Sequence, residues 1–332
     1  MSRCAITLDD IKLARARIAS HVARTPTVKS STLSDRFAVP VYLKLEHHQF
    51  TGSFKVRGAT NAILSLADEA KLRGVVAVST GNHGRGLAHA AKAASVRCTI
   101  CMSDLVPANK VDAIRALGAD VRIVGHSQDD AQVKVDRLVV EDGMTMLPPF
   151  DHRDIIAGQG TIGLEILNDL PDVETVIVPV SGGGLIAGIA LAIKTRNPQC
   201  RIIGVSMERG AAMAASQAAG NPVQVEELPT LADSLGGGIG LDNRYTFQMV
   251  RDLVDDIVLA NESEIAEGIR HGYWQERHVV EGSGAVGMAA LISGKVRPKG
   301  PTLLLLSGGN IDMQLHHRII SGEDVNVSRE AV

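Results

Sequence analysis

The segment "GSFKVRGA" places one lysine, Lys55, directly after a glycine-marked loop and at the start of a predicted helix. The amino-terminal end of a helix is partially positive, and burial also disfavours an ammonium group. Both effects favour the neutral amine, which is the form that acts as a nucleophile or a base. An ordinary surface lysine is the alternative, and it is the commoner fate of this residue type. Lys55 is therefore the first candidate for chemistry in this chain.

The segment "VIVPVSGGGLIAGIALAIK" (176–194) ends a predicted buried strand in Ser-Gly-Gly-Gly and continues as an apolar helix. Backbone N–H groups can converge on an anion there, because glycine has no Cβ to keep the ligand away. The loop predicts a phosphate cradle, with a tight turn that binds nothing as one alternative. A dinucleotide site is another, since Gly182, Gly184 and Ala187 fit G-x-G-x-x-A. Glu208 follows a later strand at about the distance of a ribose ligand.

Two further glycine-rich turns help to separate these alternatives. "STGNHGRGLAHAA" (79–91) and "LLLLSGGNID" (303–312) each follow a predicted strand with a polar turn. A dinucleotide-binding domain has no evident use for an Asn-His turn, a second Ser-Gly-Gly turn and an isolated lysine together. The set as a whole therefore disfavours the dinucleotide interpretation.

An alternation of strands and helices must position these residues. β-Branched runs alternate with alanine-rich helical segments from residue 41 almost to the carboxyl end, which predicts an α/β protein with a mostly parallel sheet covered on both faces. The clearest predicted strands are 41–45, 75–79, 97–103, 120–124, 173–180, 201–207 and 302–307. Predicted helices include 86–95 and 109–119. Thr7 and Asp10 predict a capping box at the first helix.

Composition narrows the class of protein. With 332 residues, 45% of them hydrophobic, the chain can bury a large core and form two domains. We expect no membrane partner and no export, because no apolar run approaches about 18 residues and no signal-peptide pattern opens the chain. A net charge of −3 and 3% aromatic residues disfavour a nucleic-acid partner. Four cysteines do not form a disulfide scaffold, so we expect a cytoplasmic enzyme.

Five motifs together resemble those of fold-type II pyridoxal-phosphate enzymes, specifically the threonine/serine dehydratase and serine racemase group. They are "TGSFKVRGA", "STGNHG", "VPVSGGGLIAG", "IAGQGT" and "LSGGN". The resemblance implies two domains, each with a mostly parallel sheet covered by helices, and the cofactor between them. The large domain would comprise 1–49 and 147–322, the small domain 50–146, and a tail 323–332. Prolines in "MLPPFDHRD" (146–154) mark the same boundary. The family is usually dimeric, so a homodimer is expected.

The resemblance also implies a role for each motif. Lys55 would carry pyridoxal 5'-phosphate as a Schiff base, Phe54 would pack on the cofactor ring, and Asn82 would hydrogen-bond the ring hydroxyl. Ser307 would face the pyridine nitrogen. The phosphate would be held by Ser181, Gly182, Gly183, Gly184 and Leu185. The carboxylate of a small amino-acid substrate would be bound by Ser79, Thr80, Gly81, Asn82 and His83.

The implied reaction is a β-elimination by a pyridoxal-phosphate-dependent lyase. The Ser307 hydroxyl is a neutral partner that leaves the ring a weaker electron sink than a carboxylate would, and elimination suits this because the leaving group removes the electrons. Freed Lys55 would take the α-proton, and the product would hydrolyse to a 2-oxo acid and ammonia. The substrate would be a β-hydroxy amino acid such as threonine or serine. With "ADSLGGGIG" (232–240), the motifs also resemble hydroxyectoine-utilisation dehydratases, so a hydroxyectoine-derived compound is a further candidate.

Other activities stay open. They are serine or amino-acid racemisation, hydroxyaspartate dehydration, an NAD-dependent oxidoreductase and a non-catalytic ligand sensor. Thr80 is catalytic in the racemase alternative, but its methyl group restricts the rotamers of a position that is serine in racemases of this group. Asp129 and Asp130 align with a helix start that would face the substrate, where an acid would repel a second carboxylate. A capping box of Ser127 and Asp130 is the alternative.

No metal is expected. Many relatives hold a divalent ion by a glutamate, a main-chain carbonyl and an aspartate, and the corresponding positions here are Glu208, Ala212 and Ala214, so one carboxylate is missing. His47 and His48 are expected to be solvated or next to a ligand, with no third metal ligand nearby.

Three further residues have two interpretations each. Glu281 would lie near the cofactor by resemblance, and a helix cap is its alternative. Cys98 and Cys101 form C-x-x-C, but the two-residue period of a strand would direct them to opposite faces, which favours core packing over redox chemistry.

Overall fold

The computed structural model of the chain describes residues 6–79, 81–106, 108–325 and 327. Its strands are β1 (Thr27–Ser30), β2 (Val41–Leu45), β3 (Val75–Val78), β4 (Cys98–Met102), β5 (Asp120–Ile123), β6 (Thr145–Met146), β7 (Thr175–Pro179), β8 (Arg201–Met207), β9 (Asp256–Ala260) and β10 (Thr302–Leu306). Within the described ranges, no helix is long and apolar enough to cross a membrane.

The helices alternate with these strands. They are α1 (Leu8–Ile18), α2 (Ser31–Phe37), α3 (Lys55–Leu64), α4 (Asp68–Arg73), α5 (Asn82–Ala93), α6 (Ala108–Ala116), α7 (Gln128–Glu141), α8 (Arg153–Asp169), α9 (Gly184–Arg196), α10 (Ala212–Ala219), α11 (Thr246–Leu253), α12 (Glu262–Trp274), α13 (Gly282–Ile292) and α14 (Met313–Ile320). Short 3₁₀ helices cover Glu46–His48 and Asp233–Leu235. The predicted capping box of Thr7 and Asp10 is confirmed at the start of α1.

The larger sheet has the strand order β1-β2-β10-β7-β8-β9. Every neighbouring pair is parallel except β1 and β2, which are antiparallel. Its central strands β7 and β10 are buried along their whole length, as expected for a sheet covered on both faces. One face packs against α12 and α13 around residues such as Val286 and Leu304, and the other packs against α8 and α9 around Ile186 and Leu303.

The smaller sheet has the order β5-β4-β3-β6 and is parallel throughout. The prediction for the C-x-x-C pair is confirmed: Cys98 packs in the core with Leu87, whereas Cys101 packs on the opposite face with Val135. All strands of this sheet lie within the predicted small domain, 50–146. The division of the chain into domains at those boundaries stays a prediction.

Most predicted elements match the structure, and the differences are at polar or short segments. β1, β6 and β9 were absent from the clearest predicted strands because they are short or partly exposed. The helix predicted at 86–95 begins earlier, at Asn82, so the polar glycine-rich turn is the first turn of α5. Gly86 lets the start of α5 pack closely on α3, because a Cβ at Gly86 would lie 3.0 Å from the backbone of Lys55.

A buried ionic network joins α3 to the larger sheet. Arg57 donates to both oxygens of Glu46, at 2.9 and 2.7 Å, and to both oxygens of Glu165, at 2.7 and 3.0 Å. Lys44 on β2 is 2.7 Å from Glu165. Because Arg57 and Glu46 are fully enclosed, this network fixes the orientation of α3 and therefore of Lys55 at its first position.

Candidate active site

A cavity lies where the carboxyl ends of β7 and β10 meet the amino-terminal ends of α3 and α5. This edge of a parallel sheet is the usual ligand site of open α/β folds. Every residue predicted to hold the cofactor lines this one cavity: Phe54, Lys55, Asn82, Ser181, Gly182, Gly183, Gly184, Leu185 and Ser307. The fold therefore brings together residues as distant in the chain as Phe54 and Ser307, which are 253 positions apart.

The loop between β7 and α9 has the form of a cradle. Gly183 has φ of +88°, a conformation that residues with a Cβ rarely adopt. A Cβ at Gly182 would lie 2.3 Å from the ring of Phe150, and a Cβ at Gly184 would lie 2.8 Å from the Phe150 carbonyl oxygen. The three glycines are therefore required by the close approach of this loop to its surroundings at the start of α9.

Lys55 enters the cavity at the first residue of α3. Its Nζ donates to the carbonyl of Pro149 at 2.9 Å and lies 5.3 Å from the centre of the Phe54 ring. Burial lowers the pKa of Lys55 to about 8, against the carboxylate of Glu281, which raises it. The neutral amine is consequently far more accessible than it is for a lysine in water.

Ser307 follows β10 and is tied to the lysine segment. The backbone N–H of Phe54 donates to the Ser307 carbonyl at 3.1 Å, and Ser53 forms an isolated antiparallel bridge with Gly308. Ser307 is buried and lines the cavity with its hydroxyl-bearing side chain. The turn after β10 thus contains Ser307, the candidate ring partner, and is hydrogen-bonded to Phe54, the residue that precedes Lys55.

Glu281 is the centre of a buried polar network. Asn82 Nδ2 donates to Glu281 Oε1 at 2.7 Å, the Asn310 backbone N–H donates to Oε2 at 3.1 Å, and Asn310 Nδ2 donates to Asn82 Oδ1 at 2.6 Å. Burial and the charge of Asp233 raise the pKa of Glu281 to about 7, against Asn82, Asn310 and Arg85. Glu281 is the N-cap residue of α13, but its side chain makes no capping hydrogen bond to that helix and lines the cavity instead.

The residues predicted to bind the substrate carboxylate are placed differently from one another. Asn82 lines the cavity, whereas Ser79 Oγ accepts from the Gly84 N–H at 2.9 Å. Gly81 precedes α5, with open space where a Cβ would stand. His83 is buried, and its Nε2 lies 2.8 Å from the carbonyl oxygen of Leu147.

The surroundings of His83 keep its ring neutral. Burial and the charge of Lys55 lower the pKa of His83 to about 3, against the hydrogen bond to Leu147. Thr80, predicted to be catalytic and to bind substrate, lies outside the described residues.

Sequence reasoning missed several residues of the cavity wall. Pro149 and Phe150, from the stretch interpreted only as a boundary, lie against Lys55 and the glycine loop. Ser234 and Ser283 also line the cavity. Two prolines before an aromatic residue signalled a fixed loop, but nothing in the sequence showed which site that loop contacts.

Asp130 is a helix cap. Ser127 and Asp130 form the capping box of α7, and Asp130 Oδ2 accepts from the backbone N–H groups of His126 and Ser127 at 2.9 and 3.1 Å. The capping alternative is therefore confirmed, and the exposed Asp130 carboxylate is engaged by its own helix.

Two groups of side chains outside the cavity concern the metal predictions, an ion-pair group around Glu208 and a histidine group around His47. Glu208 is 3.4 Å from Lys295 Nζ, which also pairs with Glu264. The expectation that His47 and His48 have no third metal ligand nearby is wrong, because the fold brings His278 next to them. His278 lies far from His47 and His48 in the sequence, so its proximity could not be predicted from the sequence.

The cavity suits a group that carries a phosphate and reacts with an amine. The backbone at the start of the thirteen-residue helix α9 can receive an anion, and the three glycines 182–184 that lead into it carry no side chain. Lys55 supplies the amine. The Ser283 hydroxyl, at the start of α13, lines the cavity and has no hydrogen-bond partner among the described residues, which leaves a donor for a bound ligand.

Comparison with known proteins agrees with this chemistry. The family model described as "Pyridoxal-phosphate dependent enzyme" matches residues 18–308. A Sinorhizobium fredii protein named "Putative threonine dehydratase" is 62% identical over 318 residues, which are 96% of this chain and 96% of the relative. The L-threonine ammonia-lyase of Thermotoga maritima is 45% identical over 95% of this chain and 78% of its own.

A solved structure also matches the fold of the chain. Maize serine racemase superimposes with a TM-score of 0.90 and 35% sequence identity, covering 96% of this chain and 97% of the maize chain. These matches decide against the dinucleotide interpretation of residues 182–187. The chain belongs to the family of pyridoxal-phosphate-dependent enzymes, in which it is a lyase that uses pyridoxal 5'-phosphate.

Proposed function

We propose that the protein is a dehydratase of the ammonia-lyase type that removes water from a β-hydroxy amino acid such as threonine or serine. The products are a 2-oxo acid and ammonia. The names of two relatives, a threonine dehydratase and an L-threonine ammonia-lyase, support this reaction class. The observation that carries the proposal is the position of Lys55, with its lowered pKa, in one cavity with the glycine cradle and Ser307.

Each cavity residue has a part in holding the cofactor. The backbone of the Ser181–Leu185 loop would receive the phosphate, Phe54 would pack against the ring and Lys55 would form the covalent link. Ser307 would partner the ring nitrogen, and Asn82 the ring hydroxyl. Asn82 is already oriented by Glu281 and Asn310, so the network would hold its amide at a fixed angle.

The protein's own residues then carry the elimination. When bound, pyridoxal phosphate supplies an electron sink for the bond that breaks at the substrate α-carbon. Lys55, neutral once released, takes the α-proton at Nζ, and the electron pair of the broken Cα–H bond forms a Cα–Cβ double bond as the Cβ–O bond breaks. Overall, the α-hydrogen and the β-hydroxyl are lost as one molecule of water. The resulting enamine is hydrolysed by water to the 2-oxo acid and ammonia. The backbone of residues 79–83 would orient the substrate carboxylate.

The experiment is a substrate panel on the purified holoenzyme. Threonine, serine, 3-hydroxyaspartate, a diamino acid and hydroxyectoine-derived amino acids are each incubated with the protein, and ammonia and 2-oxo acid are measured. Equal amounts of both products from at least one β-hydroxy amino acid are expected. A Lys55→Ala variant should lose at least about 100-fold, the lower bound for removal of a general base, whereas the exposed Lys12→Ala control should not. Cofactor-loaded protein that releases neither product from any member would overturn the proposal.

Racemisation is the second candidate. It is favoured by the close likeness to maize serine racemase, and it would need a proton donor on the opposite face of the α-carbon, the role that resemblance gives to Thr80. Chiral analysis of residual serine in the same panel separates the two: a dehydratase consumes one enantiomer without forming the other.

The finer substrate choice rests on one segment. "ADSLGGGIG" resembles the corresponding stretch of hydroxyectoine-utilisation dehydratases, and its Ser234 and Leu235 line the cavity. This supports a hydroxyectoine-derived substrate within the proposed class, with 3-hydroxyaspartate as the acidic alternative. The kcat/KM values from the substrate panel rank threonine or serine, hydroxyectoine-derived amino acids and 3-hydroxyaspartate as substrates.

We also propose that the protein is a cytoplasmic homodimer. The family resemblance supports the dimer. The cysteines Cys98, Cys101 and Cys200 are buried and unpaired, which agrees with a reducing compartment. Light scattering on the holoenzyme should give twice the chain mass of 35.1 kDa.

A further inference from the structure

Three imidazole rings converge outside the active-site cavity. His47 and His48 end the 3₁₀ helix after β2, and His278 lies in the segment between α12 and α13. The ring centres are 4.2 Å apart for His47 and His48, 4.9 Å for His47 and His278, and 5.5 Å for His48 and His278. One nitrogen of each ring lies within 4.8 Å of the others. We propose that this histidine cluster binds a divalent cation of the zinc or cobalt type.

His47 is half-buried, but both of its ring nitrogens are enclosed. Neither nitrogen of His47 is accessible to solvent, and neither makes a hydrogen bond of normal geometry with another described residue. Buried polar atoms in folded proteins are almost always paired, so the His47 nitrogen that does not face the Leu306 backbone requires a partner. A metal ion between the rings would supply one.

The charge around the rings suits a cation. Imidazole donates a lone pair to a metal through an unprotonated ring nitrogen. The Glu276 carboxylate near His278 adds a favourable negative charge.

The donor set selects the kind of metal. Imidazole suits zinc, cobalt, nickel and copper, whereas magnesium and calcium prefer oxygen ligands. Nitrogens around tetrahedral zinc, at about 2.1 Å from the metal, are about 3.4 Å apart. The nitrogens of the cluster lie within 4.8 Å of one another, which exceeds this spacing by at most about 1.4 Å, and a ring rotation of the exposed His48 can narrow it. The exposed side would leave the fourth coordination position to water.

The position of the cluster gives the metal a structural role. His47 packs beside Gly309, because a Cβ on Gly309 would lie 3.4 Å from His47 Cβ. Gly309 is two residues after Ser307, which lines the cavity. His278 precedes Glu281 by three residues. A bound ion would therefore hold the segment that carries Glu281 against the turn that carries Ser307.

The test is zinc titration of the tag-free, metal-stripped holoenzyme by calorimetry, with Mg²⁺ as the comparison ion. We expect one zinc per chain, no competition by Mg²⁺, and a higher thermal midpoint with zinc. The exposed His48→Ala and the His278→Gln variants should each lose more than about 100-fold in zinc affinity, beyond the loss of an outer-shell partner. The His317→Ala control, an exposed histidine on α14, should bind zinc like the unmodified protein.

X-ray absorption of the zinc-loaded protein gives an independent check. Three imidazole nitrogens at about 2.0–2.1 Å support the site. Zinc binding that is unchanged in both His48→Ala and His278→Gln, or an absorption spectrum dominated by oxygen or sulfur ligands, would overturn the proposal whatever the outcome of the activity assays.

Discussion

At the residue scale, burial moves the pKa values of Lys55 and Glu281 towards neutrality. Burial lowers the pKa of Lys55 to about 8 and raises that of Glu281 to about 7, so both groups exchange protons within two pH units of neutrality. The Glu281 carboxylate stabilises the charged form of Lys55. A lysine that must change between ammonium and amine during turnover is well served by a carboxyl group that titrates in the same range.

The first prediction concerns the pH dependence of cofactor attachment to the apoenzyme. Because only the neutral amine attacks, the rate constant should rise with pH, reach half its maximum at a pH of about 8 and level off above it. With a lysine of ordinary pKa, the rate constant should keep rising until the pH exceeds about 10.4. Glu281→Gln removes a charge that raises the pKa of Lys55, so its midpoint should move to lower pH, whereas the exposed Glu267→Gln should not move it. Stopped-flow absorbance measures the rates. A midpoint near 10 in the unmodified protein would contradict the lowered pKa.

The glycine loop acts at the scale of elements, because it joins β7 to α9 while a second loop packs on it. Phe150 lies so close to Gly182 and Gly184 that neither position has room for a Cβ. The loop, α9 and the segment before α8 consequently form one rigid cradle. Rigidity is useful here, since a preformed anion site loses little entropy when it is occupied.

Gly182→Ala should weaken this cradle. The added methyl group would meet the Phe150 ring at 2.3 Å, and overpacking of this kind costs about 1–3 kcal/mol. We expect a lower thermal midpoint and weaker cofactor binding, both partly restored by adding Phe150→Ala. Gly238→Ala is the control, because a Cβ there would have only Gly240 N within 4.0 Å and the φ of Gly238 is not positive. Equal behaviour of Gly182→Ala and Gly238→Ala would show that the close approach is unimportant.

Much of this arrangement was predictable at the scale of elements. Buried strands such as β7 and β10 are continuous apolar runs, and glycine turns after them indicated where a ligand would lie. Contacts between distant segments were not predictable. Phe150 reaches the glycine loop, and His278 reaches His47, only because of how loops cross at the sheet edge, and no local pattern encodes such a crossing.

At the scale of the whole molecule, the buried ions around Arg57 connect the two sheets. Arg57 lies on α3, which also packs with α5 beside the smaller sheet, while Glu46 and Glu165 belong to the surroundings of the larger one. Burial would raise the pKa of Glu46, but Arg57 outweighs it and the pKa is lowered. The carboxylate therefore stays charged and depends on Arg57.

Arg57→Met should be strongly destabilising. The substitution leaves the fully buried Glu46 without its cation, and breaking a buried pair costs about 3–5 kcal/mol. The exposed Arg137→Met on α7 should change the free energy of unfolding by no more than about 0.5 kcal/mol. Urea denaturation of both variants measures the difference. Similar unfolding free energies for the two would mean that the network does not hold α3 in place.

The identity of the lysine that carries the cofactor tests the account most directly. Reduction of the holoenzyme with sodium borohydride fixes the cofactor to its lysine, and peptide mass spectrometry then locates the pyridoxyl group. The account predicts one modified lysine, Lys55, with less modification when threonine or serine is added before the reduction. A pyridoxyl group on any other lysine, with Lys55 unmodified, would contradict it.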